Sequence, residues 1–138
     1  MFDVKPVTTS KATACGAACM NMLLEYYGDH TPFDDLYTEL GTGISGITAK
    51  DVLRVGRAHG LDMKSYKMDA DEVARQDRPS VIWWKYNHFV ICCGMNDAGQ
   101  VVICNPSRGR YGMSLSLFSA FYSGIALFNG EPEDLPTA

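Results

Sequence analysis

No stretch of this 138-residue chain approaches the roughly 20 consecutive apolar residues that a membrane-spanning helix needs. The opening residues, Met1-Phe2-Asp3-Val4-Lys5-Pro6, lack the apolar core of a secretory signal. Excess positive charge is missing as well. Lys and Arg number 12 against 16 Asp and Glu, the net charge is −4, and the basic residues are scattered. That argues against a surface built for nucleic acid or anionic lipid. The five cysteines, at 15, 19, 92, 93 and 104, include no C-x-x-C pair, and an odd count leaves no closed disulfide framework. Cys15 and Cys19 lie one helical turn apart, a poor arrangement for a bridge. Cysteine and histidine spacings give no zinc pattern. Gly41-Thr42-Gly43-Ile44-Ser45-Gly46 carries the letters G-x-G-x-x-G but follows a helical stretch instead of a strand, so the nucleotide reading lacks its context. These absences predict free thiols in a reducing compartment. The expectation is a cytoplasmic protein or cytoplasmic domain, with no metal, no cofactor, no nucleic-acid partner and no membrane insertion of its own.

What is present reads as one ordinary globular unit, 46% hydrophobic and 20% charged. Residues 1–130 are expected to form a single domain and 131–138 a flexible tail. Apolar residues at Ala18, Cys19, Met22, Leu23 and Tyr26 mark one face of a helix over 14–27, ended by Gly28. Thr31-Pro32 predicts a second helix with Thr31 as N-cap, running to Leu40. Thr48 predicts the cap of a third, over 49–59, ended by Gly60, and a short fourth is expected near 70–76. From residue 80 the pattern turns β-branched and aromatic. Strands are predicted at 80–84, 88–95 and 100–104, with Asn96-Asp97-Ala98-Gly99 as a turn and 105–110 as a loop. Ser114 should cap a helix over 115–121 before a closing strand at 124–128. Helices first and a meander of strands after them is the α+β pattern, N-terminal helices packed on a C-terminal antiparallel sheet.

Two positions suit covalent chemistry. Cys15 stands where a polar leader, Thr8 to Thr13, turns into the first helix. There the thiolate meets unpaired backbone N–H groups and the positive end of the helix dipole. Gly16 follows it and leaves room for a substrate backbone. The duller reading of Cys15 is a buried structural thiol, since free cysteine is among the most buried residue types. His88 opens an apolar strand after Lys85-Tyr86-Asn87, where an imidazole can sit at a sheet end as a base. Asn105 begins a turn directly after the strand expected to pair with that of His88. Its side-chain carbonyl can accept from one imidazole nitrogen and fix the tautomer, although an asparagine before proline is also an ordinary turn former. The other cysteines compete weakly. Cys19 lies on the apolar helix face, Cys92 is four strand residues or about 13 Å from His88, Cys93 faces away, and alternation turns Cys104 from Asn105. His30 and His59, at helix C-termini, read as complements to the dipole. Trp84, Tyr86 and Phe89, with Gly16, are the expected walls of a substrate cleft.

Four stretches together resemble the peptidase domain of bacteriocin-exporting ABC transporters, the double-glycine leader peptidases. They are Cys15-Gly16-Ala17-Ala18 through Tyr26-Tyr27-Gly28; Gly46-Ile47-Thr48 with His59-Gly60-Leu61; Asn87-His88-Phe89-Val90; and Asn105-Pro106-Ser107-Arg108-Gly109 leading to Phe118 and Gly124-Ile125-Ala126-Leu127. The resemblance covers about residues 4–128. It implies a papain-like fold and a cysteine endopeptidase that cleaves a leader peptide after a Gly-Gly or Gly-Ala pair. Cys15 would be the nucleophile, His88 the base and Asn105 the orienter, with an ABC exporter as partner. Where the family carries an oxyanion-donating glutamine this chain has Thr9, and where aspartate is usual it has Asn105. The expected oxyanion donors are the Cys15 backbone N–H and a hydroxyl of Thr8, Thr9 or Ser10, with Thr9 standing at the glutamine's position. The rival reading motivated by Thr9 is a non-catalytic relative that binds a peptide or leader for secretion.

Overall fold

The computed structural model describes residues 1–10, 14–40, 48–85 and 88–131. The Gly41–Gly46 connection, Tyr86, Asn87 and all but the first residue of the expected tail lie outside these ranges.

Three helices come first: α1 (Cys15–Tyr26), α2 (Phe33–Leu40) and α3 (Ala49–Ala58). They are followed by β1 (Met63–Lys67), α4 (Ala70–Ala74), β2 (Ser80–Trp84), β3 (His88–Met95), β4 (Val101–Asn105), β5 (Gly109–Met113), α5 (Leu115–Phe121) and β6 (Tyr122–Asn129). The strands form a six-stranded sheet in the order β1-β6-β2-β3-β4-β5. Every neighbouring pair is antiparallel. β2 to β4 are the expected meander, which β5 extends by one strand. β6 then returns to lie between β1 and β2.

Strand alternation sorts the sheet side chains into two cores. Val81, Phe89, Ile91, Cys93, Val102, Cys104 and Leu127 face α1, α2 and α3, against Met20, Leu23, Leu24, Leu36 and Val52. Ile82, Trp84, Val90, Cys92, Ile103, Ala126 and Phe128 face α4 and α5, against Val73, Ala74 and Phe118. Helices thus cover both faces, and the sheet is the middle layer. Close approach of α3 depends on a missing side chain. A Cβ at Gly56 would strike the Met63 side chain of β1 and crowd Met20 of α1. Among the described residues no helix is long and apolar enough to cross a membrane.

The local signals mostly act as expected. Thr48 and Asp51 form a reciprocal capping box on α3, and the Ser114 hydroxyl accepts from Leu117 N–H at the start of α5. Gly28 and Gly60 hold φ of 88° and 89° just past their helices. Three expectations need correction. Thr31 does not cap α2. Its N–H and hydroxyl both donate to Asp29, and the Pro32 carbonyl takes the first helical bond from Leu36 N–H. Residues 63–67, read as part of a helical half, are strand β1. Residues 109–113, half assigned to a loop, are strand β5.

His59 does more than complement a dipole. Its ring meets Glu39 of α2 at 2.7 Å, Asp29 at 3.4 Å and the Thr31 hydroxyl at 3.3 Å, so it links three successive elements. The Glu39 hydrogen bond raises its pKa above the ordinary histidine value. Burial opposes this, and the Glu39 and Asp29 charges add to it. A raised folded-state pKa stabilises the fold below the unfolded histidine value, and that contribution is lost as pH rises through the folded value. His59→Gln should therefore destabilise the protein by about 0.5 kcal/mol at pH 5.5, the scale of partly screened pairs. The deficit should shrink towards zero by pH 8.5, as read from denaturation midpoints at the two pH values.

Candidate active site

The first turn of α1 is left electrically bare. Ala14, at its N-cap, offers no side-chain bond, and the turn holds no acidic residue. The dipole end and its unpaired N–H groups are therefore directed at Cys15, the first helical residue. Cys15 is 7% exposed, more enclosed than its polar leader suggests. The other four cysteines are sealed further, at 0–1%.

Burial alone raises a thiol pKa, because it penalises the anion. Cys92 shows the effect in this same sheet: burial pushes it up to about 11. Cys19 is raised well above its ordinary value, again chiefly by burial. At Cys15 burial is again the largest single influence, yet the thiol ends below its ordinary value. A hydrogen bond with His88, the Phe89 N–H, the imidazole charge and the Gly16 N–H together outweigh it. The complementary shift falls on His88, whose pKa is raised, first by the Cys15 hydrogen bond, against burial, and then by Asn105. A proton moved from sulfur to ring is thus favoured at both ends.

Each member is placed by its own strand. His88 begins β3 and sits opposite Trp84 of β2, with the two rings 6.1 Å apart. Asn105 ends β4, is 4% exposed, and points its Oδ1 at His88 Nε2 at 2.8 Å. With Nε2 engaged by an acceptor, it carries the ring proton, and Nδ1 is the nitrogen left for the thiol. The same Oδ1 accepts the Ser107 N–H at 2.9 Å, and Asn105 Nδ2 donates to Tyr111 Oη at 3.0 Å. The structure thus brings together the three residues that sequence reasoning singled out. Tyr111 was missed, because the glycines of β5 hide the alternation that places it.

Cys104 is the second thiol held below its ordinary value. The Cys93 thiol bonds it at 3.5 Å, against the cost of burial, and Arg110 adds positive charge. It is 0% exposed and cannot meet a substrate. Among the proposed cleft walls, Trp84 retains 8% exposure beside His88 and stacks on Phe121 at 5.3 Å. Phe89 is corrected. Alternation turns its side chain into the helix-covered core, where it stacks on Trp83 and is 1% exposed. Its contribution to the site is its backbone N–H. Gly16 is buried and likewise contributes an N–H. Tyr86 lies outside the described residues. Thr9 is half-buried, and its N–H donates to the Pro106 carbonyl at 2.8 Å, which ties the leader to the turn that follows Asn105. Among the described residues no cluster of three or more His, Cys, Asp or Glu is arranged to hold a metal ion.

Comparison with known proteins agrees with this fold. A double-glycine-motif protease from an AMS/PCAT transporter, solved with a leader peptide, superposes with a TM-score of 0.85 at 28% identity, covering 91% of this chain and 90% of that one. The peptidase domain of Streptococcus ComA, a bi-functional ABC transporter, shares the fold with a TM-score of 0.82 at 21% identity, over 91% of this chain and 96% of that one. The probable microcin-H47 secretion/processing ATP-binding protein of Escherichia coli is 24% identical over 123 residues, 88% of this chain. The present chain spans only 18% of that relative's length. Residues 3–134 match the peptidase C39 family across nearly the whole sequence, and the chain belongs to that family.

Proposed function

We propose that this protein is a cysteine endopeptidase that cuts a leader peptide after a Gly-Gly or Gly-Ala pair, using Cys15, His88 and Asn105. The observation that carries the reading is the grouping of Cys15 at the uncapped head of α1, His88 as the neighbour that lowers its thiol pKa, and Asn105 Oδ1 accepting from His88 Nε2 at 2.8 Å. In this mechanism the Cys15 thiolate attacks the scissile carbonyl carbon. The oxyanion is met by the Cys15 N–H and by Thr9. The Thr9 N–H serves the Pro106 carbonyl, and the group proposed as the oxyanion donor is the Thr9 hydroxyl. Imidazolium His88 then protonates the leaving amine as the C–N bond breaks, leaving a thioester on Cys15. His88 next takes a proton from water, which attacks the thioester and releases the leader's new carboxyl end. Asn105 holds the ring in one tautomer throughout. The Trp84 edge beside His88 narrows the approach, which favours residues without side chains before the cut. Free thiols suit a cytoplasmic site of action. The secretion/processing proteins among its relatives suggest a precursor bound for an ABC exporter.

Cys15→Ala should abolish cleavage of a synthetic precursor carrying Gly-Gly before the cut, followed by product mass. Equal cleavage by both proteins would overturn the proposal. Binding of the peptide without cleavage by wild type would favour the peptide-holding reading. A single oxyanion donor is worth about 10²–10³ in rate, so Thr9→Gln, which restores the amide donor the family uses, should raise kcat at least about ten-fold.

The pKa directions set the pH profile. Below the lowered Cys15 value the nucleophile is protonated, and above the raised His88 value the general acid is lost, so kcat/KM should be bell-shaped between them. In His88→Ala, burial remains while its counterweight is gone. The pH midpoint for iodoacetamide alkylation of Cys15 should then move up, to or beyond that of an ordinary thiol. An unchanged midpoint would show that His88 does not support the thiolate.

A further inference from the structure

An asparagine orienter has a weakness that a carboxylate lacks. Its two ends differ, and only the oxygen can accept from His88 Nε2–H. Rotated by 180°, the amide would set an NH₂ group against the ring N–H and against the Ser107 N–H, opposing donors to donors. Two contacts decide which way it points, and a third anchors its other end. Oδ1 accepts from His88 at 2.8 Å and from Ser107 N–H at 2.9 Å, which fills its two lone pairs. Nδ2 donates to Tyr111 Oη at 3.0 Å.

The register explains how Tyr111 arrives there. Asn105 pairs with Gly109, and Ile103, two residues earlier on the same face, pairs with Tyr111. Tyr111 is therefore the diagonal neighbour of Asn105 on one face of the β4–β5 ladder, within reach of a long aromatic side chain. Its ring is half-buried and packs with the cluster around Ile103 and Met113. The Arg108 guanidinium lies 5.3 Å from the ring centroid. Arg108 itself belongs to the turn that Asn105 opens, since its N–H donates to the Asn105 carbonyl. Ring and turn thus hold each other.

We propose that Tyr111 is a positioning residue for the catalytic line: its hydroxyl accepts from Asn105 Nδ2 and so anchors the far end of the amide whose oxygen His88 and Ser107 select. The assignment rests on the Cys15–His88–Asn105 reading and adds a fourth member, one required because position 105 is an amide. Without that hydroxyl an N–H of a residue only 4% exposed loses its acceptor, and the amide is freer to turn away from His88. With aspartate at position 105 either oxygen can accept from His88 and the charge strengthens the bond, so the anchor matters less.

Four full-length proteins test this: wild type, Tyr111→Phe, Asn105→Asp and the double variant. Phenylalanine keeps the ring, its packing and the Arg108 contact while removing the hydroxyl. The readouts are the pH dependence of Cys15 alkylation by iodoacetamide, followed by the mass of the Cys15 peptide, and kcat on the Gly-Gly precursor. Tyr111→Phe should slow Cys15 alkylation at pH 6.5 about five-fold, raise its pH midpoint and lower kcat by a similar factor, with little change in KM. In the Asn105→Asp background the same substitution should change each value less than two-fold. An equal loss in both backgrounds would assign Tyr111 to packing and overturn the inference, as would no loss in the Asn105 background. If Asn105→Asp is itself inert, the midpoint shift in the Asn105 background decides. A wild-type Cys15 that reacts no faster at pH 7 than a free thiol would sink the peptidase reading and this inference together. Fast wild-type alkylation unchanged by Tyr111→Phe would sink this inference alone.

Discussion

The site depends on one shared proton, between a sulfur and an imidazole that are both withdrawn from water. Taking a thiolate out of water is unfavourable, and the neighbouring cysteines show how unfavourable it is in this fold: where burial dominates, Cys92 and Cys19 are both raised well above the ordinary thiol value. Cys15 escapes because compensation arrives from three directions. The helix supplies the Gly16 N–H, the adjoining strand supplies the Phe89 N–H, and His88 supplies both a hydrogen bond and a charge. None of these requires a side chain to move, so the anion is stabilised before any substrate arrives.

That arrangement is a consequence of layering. α1 can hold its first residue at the end of β3 only because its buried face is fixed against Phe89, Ile91 and Cys93 while α4 and α5 press on the opposite side. The His59 contacts tie the loop after α1 to α2 and α3, which keeps the helical layer in one piece. On the sheet, antiparallel pairing of β2, β3, β4 and β5 puts Trp84, His88, Asn105 and Tyr111 near one another from widely separated places in the chain. The proposed active site is thus made of strand ends and one helix start, which are the points where backbone N–H groups are free to do chemistry.

Much of this was legible in the residues. Glycines past α1 and α3, the Thr48 and Ser114 caps and the β-branched run at 80–84 are local signals, and they acted locally. Cys15, His88 and Asn105 were legible because each sits at an element boundary that composition marks. The edge strands were not. β1, Met-Lys-Ser-Tyr-Lys, and β5, Gly-Arg-Tyr-Gly-Met, lie at the two borders of the sheet. Borders favour charge and glycine, which discourage further strand pairing, and those residues suppress the very pattern by which a strand is recognised. Tyr111 went unseen for that reason. Thr31 was misassigned because a stronger acceptor, the Asp29 carboxylate, competes for its hydroxyl, and Phe89 because a cleft was drawn around its neighbour without following alternation along β3.

The unequal enclosure of the five sulfurs has a practical corollary. Four are out of reach while the fold is intact, and the fifth, at the proposed catalytic position, keeps a small opening to solvent. Chemical insult from peroxide or an electrophile is thereby channelled to a single atom. The molecule would fall silent before it fell apart, its scaffold surviving the loss of its chemistry, and the number of thiols open to a reagent would register how far unfolding had gone.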